Sequence, residues 1–262
     1  MQEPTSAFSE PKARADRALS LVSLGLLALQ AALDAPAFPK ATLAAAAAAA
    51  LVALLAARVA QGPARAVAAL VACIVVAMRL GVVWQLAMVL ALAAYAGLSR
   101  LAPALRPPEG WRAAGGLPKR WTALVGGVTP VALVGWLAFA RPDLRDITGS
   151  ELLQVSTPVL IAGGAVFAVL NATLEEVIWR GVLQPSLAAA WGARVAVVLQ
   201  AASFGAQHAH GFPRGLLGVF LAGSWAVMLG LLRQRSRGLL APVLAHIVAD
   251  ATIAALVIGM LR

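Results

Sequence analysis

The chain has 262 residues, 61% of them hydrophobic and 12% charged, with a mean hydropathy of +0.85. Soluble domains carry roughly 25% charged residues, so this composition excludes an ordinary water-soluble fold and points to an all-α polytopic transmembrane bundle. A net charge of +10 would suit nucleic acid in a soluble protein. Here the cations fall in short segments between apolar runs, as the positive-inside rule requires, so the lipid bilayer is the expected partner and nucleic acid is not.

In chain order, residues 1–17 form a polar, basic tail, expected on the cytoplasmic side. An apolar run follows, and Ala35-Pro36-Ala37 at its end is a poor cleavage site, so the run is taken as an uncleaved first helix. A membrane helix needs ~20 mostly apolar residues. Spans are expected near 18–36, 41–60, 64–79, 82–99, 121–140, 153–180, 193–210, 214–232 and 238–261. Only Arg79 and Gly81 divide the third from the fourth, which leaves eight or nine. The single Cys73 excludes an internal disulfide and a cysteine-rich metal site. Residues 18–99 contain no polar constellation and read as scaffold.

The segment 100–120 holds Arg100, Arg106, Arg112, Lys119 and Arg120 among Pro and Gly breakers. It reads as a cytoplasmic loop dividing the scaffold from a core at 121–262. Arg233, Arg235 and Arg237 mark a second cytoplasmic turn, and the mixed-sign linker Arg141 to Glu151 suits the outside. High Ala, Arg and Gly content points to a GC-rich bacterial genome and hence to the cytoplasmic (inner) membrane.

Three stretches of the core carry nearly all the intramembrane polar chemistry. The first is Glu175-Glu176-x-x-x-Arg180. Ionised groups in a bilayer are costly and normally face a cavity or a partner, and two adjacent carboxylates resist joint ionisation. On a helix Glu176 and Arg180 pair at i, i+4 with the acid first, the favourable order. Glu175, rotated ~100° away, is left as the working group. The second stretch is Phe204-Gly-Ala-Gln-His208, with His210 beyond it where Gly211 and Pro213 end the helix. The third is His246-Ile-Val-Ala-Asp250, four apart on one face, where an Asp can fix the tautomer of a His.

Depth counted at 1.5 Å per residue brings them together. His246 lies ~13 Å from the basic boundary near Arg237 and His208 ~21 Å from the one near Arg194, and Glu175 lies ~13 Å from a helix end near Gln184. The value for Glu175 assumes that Pro185 interrupts the helix soon after Gly181. A carboxylate and two histidines at one point suit a general base acting on water. They equally suit a divalent metal, such as zinc, held by Glu175, His208 and His246. No His-Glu-x-x-His, no Gly-x-Ser-x-Gly and no Gly-x-Gly-Asp with a second membrane aspartate occurs.

In order and spacing, Glu175-Glu176-x-x-x-Arg180-Gly181, Phe204-x-x-x-His208 and His246-x-x-x-Asp250 resemble the CAAX-protease and bacteriocin-processing family, which includes the type II CAAX prenyl endopeptidases. The Arg-Ser-Arg-Gly-Leu-Leu-Ala-Pro stretch at 235–242 is also similar to that family's lead-in. The resemblance covers roughly 153–261. Trp179 stands where Phe is usual, and Asp250 where Asn is commoner. It implies an endopeptidase in which Glu175 and His208 activate water and His246 and Asp250 steady the oxyanion. The implied substrate is a membrane-associated or lipidated protein or peptide. Two rivals stand beside it: a non-catalytic immunity or scaffold protein with the same helices, and a transporter using the His/Glu cluster as a relay.

Overall fold

The computed structural model describes residues 10–33, 39–60, 62–140, 151–211 and 214–261. The Ala35-Pro36-Ala37 stretch, Pro213 and the linker 141–150 lie outside them. The described residues contain no strand, as expected for backbone that must satisfy its own hydrogen bonds in lipid. The helices are α1 (Glu10–Ala32), α2 (Pro39–Val59), α3 (Pro63–Ala77), α4 (Trp84–Leu101), α5 (Lys119–Ala140), α6 (Thr157–Trp191), α7 (Ala193–Gln207), α8 (Gly215–Ser236) and α9 (Leu240–Leu261).

Seven of these helical stretches are long and apolar enough to cross a membrane: α1, α3 with its following turn, and α4, α5, α6, α8 and α9. The apolar part of α2, Leu43–Val59, is shorter. Helix α7 has 15 residues, or ~22 Å, less than the ~30 Å hydrocarbon core. It stops where His208–His210 tighten into a 3₁₀ turn, which leaves His208 at its inner end.

Two helices run further than the sequence pattern indicated. Helix α1 begins at Glu10, inside the expected tail. Arg14 pairs with Glu10 at 3.1 Å, and Arg17 stacks on Trp191 while donating to the Ala190 carbonyl. Helix α6 does not break at Pro185 but continues to Trp191. The reason is a π-helical segment, Val177–Leu183, in which the Gln184 N–H reaches back to the Trp179 carbonyl. The next residue, Pro185, has no N–H to give. The Arg180 carbonyl instead accepts from Arg233 Nε at 3.3 Å. A side chain of α8 thus completes the widened turn that holds Arg180.

Helix α9 lies against α6 and α5, α8 against α7, and α1, α2 and α4 against α3. Helices α7 and α8 approach closely at Gly205, where a Cβ would meet the Val219 carbonyl oxygen at 2.6 Å and Gly223 Cα at 3.1 Å. Such backbone proximity is how small residues let membrane helices associate.

The basic segments lie at one end of the bundle. Leu239 and Leu240 N–H donate to the Ala113 and Ala114 carbonyls, Gly116 N–H donates to the Ser236 carbonyl, and the Arg235 guanidinium stacks on Trp121. Gly115, in the left-handed region at φ +72°, has no room for a Cβ against Gly238. Gln234 donates to the Ala193 carbonyl beside Trp191, the residue on which Arg17 stacks. The start of α1, the loop before α5 and the α8–α9 turn therefore share a side.

Candidate active site

The last turns of α6 before its π segment bring Asn171, Glu175 and Glu176 inward, all buried. Glu176 Oε1 accepts from Arg180 Nη1 at 2.8 Å and from His246 Nδ1 at 2.7 Å. The i, i+4 pair expected from spacing is present and fully buried, and a buried charge of this kind needs such a partner. The same oxygen holds the histidine.

That arrangement corrects the expected role of Asp250. The His246 tautomer is set by Glu176, 70 residues earlier, rather than by the i+4 aspartate. A carboxylate only accepts, so His246 Nδ1 carries the hydrogen. His246 Nε2 then faces Glu175 Oε2 at 3.6 Å and Asp250 Oδ1 at 3.7 Å. Neither distance is a hydrogen bond. Glu175 Oε2 is buried and has no hydrogen-bond partner among the described residues.

Asn171, which belongs to none of the three motifs, links the two carboxylates. Its Nδ2 donates to Glu175 Oε1 at 3.2 Å and to Asp250 Oδ2 at 3.1 Å. Its Oδ1 accepts from Gln85 Nε2 at 3.3 Å. The i, i+4 spacing of Asn171 and Glu175 was a readable signal that sequence reasoning missed. Gln85 gave none, because it comes from α4 in the scaffold half.

Helix α7 contributes Phe204 and His208. Phe204 is fully buried, with the Arg180 guanidinium over its ring at 4.6 Å and the Trp179 ring edge-on at 5.2 Å. Trp179 in turn donates to Ser203 Oγ at 3.1 Å. The Phe204 ring centroid is 4.5 Å from that of His208 and 6.0 Å from that of His246. It thus packs against both imidazoles. His208 Nδ1 donates to the Phe204 carbonyl at 2.9 Å, which leaves the lone pair of the neutral ring on Nε2. His210 is exposed.

His208, His246 and Asp250 form the polar end of a cavity of about 190 Å³. Its other walls come mainly from apolar residues of α5 and α8, including Val128, Leu133, Trp225 and Met228, with the hydroxyl residues Thr129 and Ser224 among them and Ile253 from α9. The Trp225 ring packs edge-on against His246 at 4.8 Å. Glu175 sits one layer behind this wall, against His246 and Asp250. Two further grooves continue the α5–α8 seam, one through Trp121 and Arg235 and the other through Trp136 and Phe139.

No group of three His, Cys, Asp or Glu side chains among the described residues is disposed to hold an ion. The Nδ1 atoms of both histidines are committed to Glu176 and to the Phe204 carbonyl, and Glu175 Oε1 to Asn171, which leaves both Nε2 atoms and Glu175 Oε2 to face a ligand. What the cluster can do is place a buried carboxylate and two imidazole Nε2 atoms at the end of an apolar cavity.

Residues 157–252 match the family model described as Rce1-like, type II CAAX prenyl endopeptidase. Comparisons with curated proteins and with solved structures gave no match. The matched stretch runs from the first turn of α6 to the Asp250 turn of α9. It contains every residue of the cluster except Gln85.

Proposed function

We propose that the chain is an intramembrane endopeptidase using Glu175 as its base, of the family whose model, Rce1-like type II CAAX prenyl endopeptidase, residues 157–252 match. The observation that supports this reading is the approach of Glu175 Oε2 at 3.6 Å and Asp250 Oδ1 at 3.7 Å to His246 Nε2, at the wall of a cavity that His208 also lines.

The chemistry is hydrolysis. A water at the apex of the 3.6 Å base between His246 Nε2 and Glu175 Oε2 reaches both atoms at hydrogen-bond length, and His208 Nε2 orients it. Its oxygen attacks the scissile carbonyl carbon as Glu175 takes one proton. Negative charge collects on the carbonyl oxygen, which His246 stabilises as the imidazolium, with Nδ1–H held by Glu176 and Nε2–H donated to that oxygen. Glu175 then passes its proton to the peptide nitrogen, the C–N bond breaks, and the remaining water proton moves to the amine, so that a carboxylate and an ammonium leave.

The apolar seam between α5 and α8 supports a substrate that carries a hydrophobic segment or a lipid. The substrate class is therefore a membrane-associated or lipidated protein or peptide. The shared end of the three basic segments supports a cytoplasmic placement of that end, N-terminus included, in a bacterial inner membrane.

The test is reconstitution in vesicles with membrane-anchored peptides, with and without a C-terminal prenylcysteine, in ¹⁸O-labelled water. Hydrolysis leaves one ¹⁸O in the new carboxylate of the product, read by mass spectrometry. Peptides that stay intact in every arm contradict the reading and favour a scaffold or a transporter.

A further inference from the structure

Gln85 is a polar side chain from the scaffold half that reaches the cluster. It precedes the first buried residues of α4, and its Nε2 meets Asn171 Oδ1 at 3.3 Å. Asn171 is buried and makes three contacts: Oδ1 with Gln85, and Nδ2 with Glu175 Oε1 and Asp250 Oδ2. An asparagine amide has one acceptor end and one donor end, and both orientations fit the same volume. The two carboxylates can use only the donor end. With Gln85 donating to Oδ1, the other orientation would set two donors face to face there and oxygen against two carboxylates on the opposite side.

We propose that Gln85 is a positioning residue. It locks the Asn171 amide so that its NH₂ group holds Glu175 and Asp250 in one network, with Glu175 Oε2 turned toward His246. The scaffold half is then part of the working unit through this contact. The inference rests on the proposed role of Glu175.

The amide direction makes the idea separable from simple packing. Gln85→Glu is nearly isosteric but offers only acceptors, so Asn171 must turn its NH₂ toward residue 85 and its oxygen toward the carboxylates. Gln85→Leu removes the contact without reversing it. Cleavage by the full-length protein in vesicles is expected to lose roughly tenfold in kcat for Gln85→Leu, with KM unchanged, and more for Gln85→Glu; one lost neutral hydrogen bond is worth about a factor of ten. In an Asn171→Ala background the Gln85→Leu effect on kcat should vanish, because a residue acting through another is not additive with it.

A melting-temperature cycle on the wild type, the two single variants and the double variant needs no substrate and must show coupling between the two positions. Independent melting shifts overturn the contact. Coupled melting with additive or unchanged kcat overturns the positioning role and leaves packing. Full activity in Glu175→Ala sinks the catalytic reading, and with it the positioning role that rests on it, even where the melting cycle upholds the contact.

Discussion

Glu176 and His246, 70 residues apart, share one hydrogen bond of 2.7 Å, and the glutamate oxygen that accepts it also accepts from Arg180 at 2.8 Å. One carboxylate therefore neutralises a buried guanidinium and orients an imidazole. Removing one partner of such a buried pair costs about 3–5 kcal/mol, because the other charge is left uncompensated. Arg180→Leu should fail to accumulate as folded protein or melt far below the wild type in detergent. Glu176→Gln keeps an acceptor for His246 and should retain the fold better than Arg180→Leu in a thermal-shift comparison.

Phe204 holds both imidazoles and the Arg180 guanidinium on its ring. Phe204→Ala should destabilise by about 3–5 kcal/mol. Phe204→Leu fills most of the volume but removes the ring faces, so cleavage should fall more than the melting temperature does. Equal losses in both would reduce Phe204 to core packing.

Gly205 gives no room for a side chain against the α8 backbone. Gly205→Val should separate α7 from α8 and lower the melting temperature by several degrees, consistent with about 1–3 kcal/mol for overpacking. Gly127 is the control, because a Cβ there would have no neighbour within 4 Å. Its Ala variant should melt at or above the wild type.

Arg233 supplies the hydrogen bond that Pro185 cannot give to the Arg180 carbonyl, and its other end donates to the Gly110 carbonyl. Arg233→Leu leaves the buried carbonyl unsatisfied at a cost of about 1–3 kcal/mol. The double variant Arg233→Leu/Pro185→Ala restores an N–H in the helix and should recover part of that loss. A melting temperature unmoved by Pro185→Ala in the Arg233→Leu background would contradict this account of the π segment.

The helical class, the order of the apolar runs and the three polar stretches were legible because each rests on local spacing. Glu176 with Arg180 is such a case: four apart on one helix, they meet as the pattern requires. His246 with Asp250 has the same spacing, yet the bond goes to Glu176, because the packing of α9 on α6 offers the ring a closer acceptor. Pro185 misled for a related reason. Its cost depends on whether another helix can satisfy the freed carbonyl, and Arg233 does so from 53 residues beyond Arg180. Gln85 was invisible because its partner lies 86 residues on.

The central claim is that Glu175 is the base, although Asp250 lines the cavity wall and Glu175 does not. The most direct measurement is the single-turnover cleavage rate of one membrane-anchored peptide by Glu175→Gln, Asp250→Asn and the wild type, at matched melting temperature. Loss of a general base costs about 10²–10⁴-fold. That loss is predicted for Glu175→Gln, with measurable cleavage retained in Asp250→Asn. Wild-type rates in Glu175→Gln would contradict the account.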